Sequence, residues 1–79
     1  MSHVPHGLHD EFPNDHARIH KLKTSDKHFV GLADRYHELN RSIHRVEAEA
    51  EPTSDDVLED MKKQRLALKD EIAAIIATY

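Results

Sequence analysis

A chain of 79 residues, 38% hydrophobic and 33% charged, makes one small domain that is too polar for a thick globular core yet rich in the residues of long helices. With no cysteine it has neither a disulfide framework nor a thiolate zinc site, and a formal charge of −4 gives no general attraction to nucleic acid or anionic lipid. Eight histidines qualify that balance, because acidification through the ordinary imidazole range, about pH 6.5, carries the net charge through zero.

Residues 1–13 carry Pro5, Gly7 and Pro13 without sustained periodicity. They predict a flexible, His-rich arm with Phe12 anchoring its end. The opening "MSHVPHGLHDEF" lacks the basic and apolar regions of a signal peptide. Residues 14–79 form the expected helical domain. A short helix over about 14–23 places Ile19 and Leu22 on one side, with Arg18, Lys21 and Lys23 beside them. "KTSDKHF" then predicts a break or kink, with Thr24 and Ser25 as N-cap types and Asp26 suited to a first turn.

The next stretch, about 25–50, is the most informative. Phe29, Leu32, Tyr36, Leu39, Ile43, Val46 and Ala50 alternate spacings of three and four, an uninterrupted heptad seam. Pro52 cannot continue that helix, and Thr53 and Ser54 are natural caps for the next, so a turn is expected at 51–54. A second long helix over about 55–78 repeats the pattern in Leu58, Met61, Arg65, Leu68, Ile72, Ile75 and Tyr79, with Arg65 its one charged member. Pairing Val46 with Leu58, Ile43 with Met61, and so on to Phe29 with Ile75, keeps the residue numbers at a constant sum of 104. The chain is therefore expected to be all-α, an antiparallel, coiled-coil-like helical hairpin preceded by a short helix and an arm. In this register Arg35 and Glu71 share a flank, where an exposed ion pair would contribute less than about 1 kcal/mol.

Seven acidic residues crowd "RVEAEAEPTSDDVLED" at the tip. Asp55, Asp56, Glu59 and Asp60 complement the positive end of the second long helix. Glu47, Glu49 and Glu51 have no such reason and read as a solvated tip, or as a contact for a basic partner. Leu66, Ala73, Ile76 and Ala77 make a second apolar strip that needs cover, from the short helix, a second copy or another protein. Ile19, Leu22, Leu66, Ala73 and Ile76 are the expected outer-contact residues, and a protein partner or self-association is the expected mode of action.

His16 and His20, spaced i, i+4 in "HARIH", are the candidate metal ligands, with His3, His6, His9, Asp10, Glu11 and Asp15 as further donors nearby. The catalytic "HExxH" pattern is absent, and solvated polar residues are the default reading. His28, His37 and His44 fall outside the seam and are expected at the surface. Tyr36 reads as a core aromatic with its hydroxyl at the edge. Arg65 is expected to lay its stem over Leu39 and reach solvent, or else to act as a polar seam residue that fixes register or oligomer state.

With no glycine-rich phosphate loop, no thiol and no cleft in the pattern, neither catalysis, a cofactor nor a small-molecule substrate is expected. Arg18, Lys21, Lys23 and Lys27 form one basic cluster and Lys62, Lys63, Arg65 and Lys69 another. Acids interrupt both and no aromatic platform accompanies them, so nucleic-acid binding is the lesser reading. The longest apolar run, "IAAIIA" at 72–77, falls short of the roughly 20 residues that span a bilayer. A cytoplasmic location is expected.

The ordered set "FP", "IHKLK", "HFVGLADRYHELNRSIHRVE" and "LALKDEI" resembles the YdcH-like family of small bacterial proteins of uncharacterised function. The resemblance covers about residues 11–76. It implies a bacterial cytoplasmic α-helical hairpin with coiled-coil character and brings no catalytic residues. The longer His-rich arm and the "EAEPTSDD" turn depart from it. The expected function is thus a non-enzymatic hairpin acting through protein contacts, with a His-rich metal-binding or pH-responsive module as the alternative.

Overall fold

The computed structural model describes residues 6–49 and 55–79. Four helices follow in order: α1 (Leu8–Glu11), α2 (His16–Ser25), α3 (Lys27–Glu49) and α4 (Asp55–Thr78). Among the described residues there is no strand. The turn expected at 51–54, with Pro52, lies outside them.

α1 falls within the stretch expected as an arm. It is a single turn, closed by the Asp10 and Glu11 amides donating to the Gly7 carbonyl at 3.0 Å each. The Asp10 carboxylate reaches back to accept the Gly7 N–H at 3.2 Å. Leu8, only 1% exposed, seats this turn in the core. One turn carrying one buried leucine has no period to read, which is why the sequence pattern missed it. Phe12 packs against the same core.

Asp26 separates α2 from α3. Its backbone is extended (φ −131°, ψ 104°), and its N–H still donates to the Leu22 carbonyl at 2.9 Å, closing α2. Its own carbonyl accepts from Val30 at 3.1 Å, opening α3. The side-chain Oδ1 accepts the amides of His28 (2.9 Å) and Phe29 (3.1 Å). The break falls where "KTSDKHF" predicts it, but the cap is Asp26 rather than Thr24 or Ser25. Those two hydroxyls donate backward to the Lys21 carbonyl, at 2.9 and 2.7 Å. A carboxylate that accepts two otherwise orphaned amides is the stronger cap.

α3 and α4 run antiparallel, as their polar links require. Glu47 meets Lys62 and, further down the pair, Asn40 meets Arg65. The longest dimension is 40 Å, matching arms of 23 and 24 residues that rise about 1.5 Å per residue. Phe29, Leu32, Tyr36 and Ile43 of α3 and Ile72 of α4 are buried. Leu39, Val46, Leu58, Met61, Arg65, Leu68 and Ile75 are half-buried. Ala33, Asn40 and Ile76 are buried as well, so the covered stripe is turned toward one flank.

The cause is α2. Its Ile19 and Leu22 are 0% and 2% exposed and share one core with Leu8, Phe29, Tyr36, Ile72 and Ile76. Three of the expected outer-contact residues, Ile19, Leu22 and Ile76, therefore face inward. The short helices supply the cover that the second strip needs. Ala73 is half-buried, and Leu66 is exposed at 55%. The Arg35–Glu71 ion pair is not formed among the described residues; Arg35 instead lines a groove described below.

His37, expected at the surface, is half-buried beside Tyr36, with ring centroids 6.1 Å apart. Burial lowers its pKa below the ordinary 6.5, and Lys23 acts in the same direction, as do Arg41 and His9; Asp34 opposes them.

Two outcomes follow from this packing. Asp26→Ala should cost about 1 kcal/mol, a drop in Tm of roughly 4–8 °C for a chain this small, whereas Thr24→Ala should stay within about 0.5 kcal/mol. Thermal melts of the two variants check it. Because the fold prefers neutral His37, its contribution is complete above pH 6.5 and is lost as pH falls through that value toward the depressed one. Melts at pH 7 and pH 5 should show a smaller acid loss for His37→Gln than for the parent chain.

Candidate functional site

Two features stand out on this scaffold: a polar cross-link inside the seam and an open groove on its far flank. The cross-link begins at Asn40, 2% exposed, whose Oδ1 accepts a hydrogen bond from Arg65 Nη1 at 2.9 Å. Arg65 therefore turns inward rather than reaching solvent over Leu39. The register sum of 104 sets Arg65 opposite Leu39, and the observed partner is the next residue along. Opposing a lone seam arginine with a neighbouring asparagine is the signal that could have revealed Asn40 in advance.

Nearby, Tyr36 is fully buried and its hydroxyl donates to the His6 carbonyl at 2.5 Å. Burial raises the Tyr36 pKa above 10.0, with Glu11 adding to the effect and Arg65 opposing it. The phenol thus stays protonated as a donor and ties the N-terminal segment to α3. His6 has φ 66°, in the left-handed region that non-glycine residues rarely occupy. Its carbonyl bond to Tyr36 and its ring bond to Glu11, Nδ1 to Oε1 at 3.0 Å, hold it there.

The groove, about 530 Å³, lies between α3 and α4 on the flank turned away from α2. Half-buried Leu39 and Leu68 form its apolar part together with Ala67, and Arg35, Glu38 and Gln64 stand at the rim. It presents an apolar floor between helices, bordered by charges of both signs.

Of the candidate metal ligands, His16 is brought beside one further donor, His9, with no third joining them among the described residues. His16 Nε2 donates to the His9 carbonyl at 3.1 Å, and its ring meets the His9 ring edge-on at 4.4 Å. His20 is exposed, and among the described residues no group of three or more His, Asp or Glu side chains is placed to hold an ion. The basic clusters are partly neutralised: Arg18 pairs with Asp15 at 3.7 Å, Lys62 with Glu47 at 2.8 Å and Lys69 with Glu11 at 3.9 Å. The Lys62 hydrogen bond holds the Glu47 carboxyl below its ordinary range, giving one tip acid a local role. Among the described residues no helix is long and apolar enough to cross a membrane.

Asn40→Leu should cost about 1–3 kcal/mol by leaving the half-buried guanidinium without its partner, and Asn40→Leu combined with Arg65→Leu should recover most of that loss. Denaturant titration of the four proteins in the cycle measures the coupling.

Comparison with known proteins matches this frame. The family described as "Protein of unknown function (DUF465)" matches residues 29–76, which spans most of α3 and α4. The chain is 34% identical over 65 residues to the uncharacterized protein YdcH of Escherichia coli (strain K12), covering 82% of this chain and 88% of the relative. YdcH of Shigella flexneri matches with the same identity and coverage. No solved structure matches the chain. On the matched hairpin and the shared length of these relatives, the chain belongs to the YdcH-like DUF465 family of small helical bacterial proteins.

Proposed function

We propose that this protein is a non-enzymatic contact module of the bacterial cytoplasm that acts through the open groove of its hairpin, with a second copy of the chain as the favoured occupant. The observation that carries this reading is the uneven roof. α1 and α2 cover one flank, while the groove beside Leu39, Ala67 and Leu68 stays open. Towards the tip, Val46, Leu58 and Met61 are only half-buried and Val57 is half exposed. Apolar surface left in this state favours association because burying it releases free energy roughly in proportion to area.

Charge favours a twofold pairing. Arg35 and Glu38 are exposed, stand about one turn apart on α3, and make no ion pair among the described residues. An α3 from a second copy, crossing antiparallel, sets each Arg35 against the other chain's Glu38. An interface of this kind is self-complementary, as a twofold contact must be. The accessory-subunit reading uses the same groove with a different occupant, one that presents an apolar helix face with charges of both signs.

Light scattering across a concentration series should show mass rising toward the dimer. Glu38→Arg alone should weaken association by about tenfold, and adding Arg35→Glu should restore it, because the reciprocal pairs re-form with signs exchanged. A single-chain mass at every concentration rejects the second copy. If a pull-down from the native cell then also returns nothing that is lost on Ala67→Arg, the contact-module reading falls as well.

A further inference from the structure

A second cavity, of about 190 Å³, opens on the other side of the seam between α1, α3 and α4. Its wall carries an unusual surplus of cations for an acidic protein. Lys62, Arg65 and Lys69 of α4 line it together with His6, Tyr36 and Glu11. We infer that this cavity binds a phosphate-class oxyanion, with Arg65 as its centre.

Arg65 is the key residue. Arg65 is half-buried, yet among the described residues its one hydrogen bond goes to a neutral group, the Asn40 amide oxygen. Among the described residues no carboxylate is ion-paired with it. A half-buried permanent charge gains most from a counter-ion, and the planar guanidinium fork matches two oxygens of a phosphate at once. The single bond through Nη1 leaves further N–H donors for that purpose.

The lysines complete the site. Lys69 touches Glu11 only at 3.9 Å, the loosest contact of the group, while Glu11 already accepts from His6 at 3.0 Å. The ammonium is therefore free to swing to an anion without stranding the carboxylate. Lys62 is held by Glu47 at 2.8 Å from outside the cavity wall, which fixes it in place and partly offsets its charge. Among the lining residues three permanent cations stand against one carboxylate, Glu11, which favours an anion over a metal cation as the ligand. The Tyr36 hydroxyl is committed to the His6 carbonyl and serves as wall, not donor.

Room and shape agree. The volume far exceeds the roughly 10–15 Å³ that one water needs, so a tetrahedral oxyanion enters without opening the fold. Leu66, 55% exposed, also lines the cavity and offers an apolar edge for the uncharged part of a phosphate monoester. This site is independent of the groove on the opposite flank, so association and anion binding fail separately.

The test uses the full chain in chloride buffer of constant ionic strength, titrated with inorganic phosphate and, in a parallel arm, with phenyl phosphate. Both should raise the Tm saturably and shift the NMR resonances of Arg65 and Lys69. Arg65→Gln should weaken binding by about tenfold or more, while the exposed Lys63→Gln, outside the cavity, leaves it unchanged. Lys69→Gln, which leaves the seam intact, should weaken it as well and keeps the test valid if Arg65→Gln unfolds. Tighter binding of phenyl phosphate assigns an organic monoester through Leu66, and equal binding assigns free phosphate. A response to phosphate no larger than to added chloride, or one that survives both Arg65→Gln and Lys69→Gln, overturns the site.

Discussion

The fold rests on the burial of one flank of a helical hairpin by its own N-terminal segment. Two antiparallel helices alone cover only the line along which they meet and leave the rest of each apolar stripe wet. Here Leu8, Ile19 and Leu22 close over Phe29, Tyr36, Ile72 and Ile76, converting a two-helix contact into a small three-sided core. Chains of this size have little surface to spare, so a few fully buried side chains decide whether the domain holds. Asp26 makes the closure possible. It ends one helix and starts the next in a single residue, and the reversal lays α2 back along α3.

Within that core the Asn40–Arg65 link and the Tyr36–His6 bond are the polar exceptions. An apolar pair in place of Asn40 and Arg65 would pack the seam at lower desolvation cost, so the polar link adds less to stability than to alignment. It sets the two long helices in one register, because sliding either by a turn strands a guanidinium against hydrocarbon. The same arginine then faces a cavity rich in positive charge. One side chain thus joins the alignment of the hairpin to the chemistry proposed for its surface.

Much of the architecture was legible in the residues. The two heptad runs and Pro52 imply an antiparallel hairpin, and the "KTSDKHF" break falls where the helices part. What escaped was whatever lacked a period. Leu8 is a single apolar residue in a polar turn, and no pattern distinguishes it from an arm residue. Asn40 is polar at a buried position, which a search for apolar spacing passes over. Ile76 reads as outward because a two-helix register places Ile75 at the seam; α2 rotates the preferred face by one residue. Thr24 and Ser25 are good caps by type, yet Asp26 stood one position closer and accepts two amides at once. The groove and the cationic cavity depend on side chains from distant positions, so neither is visible in any local window.

The uneven roof also divides the molecule along its length. Near the helix junction, three layers exclude water from the Phe29, Tyr36 and Ile72 level. Toward the tip, Val46, Leu58 and Met61 are only half-covered. Local opening follows local burial, so backbone amides at the tip exchange with solvent through small fraying events while those beside α2 open only with the whole domain. The hairpin thus has a firm base, where α2 seals it, and a thinner-walled stretch toward the tip that opens locally at lower cost.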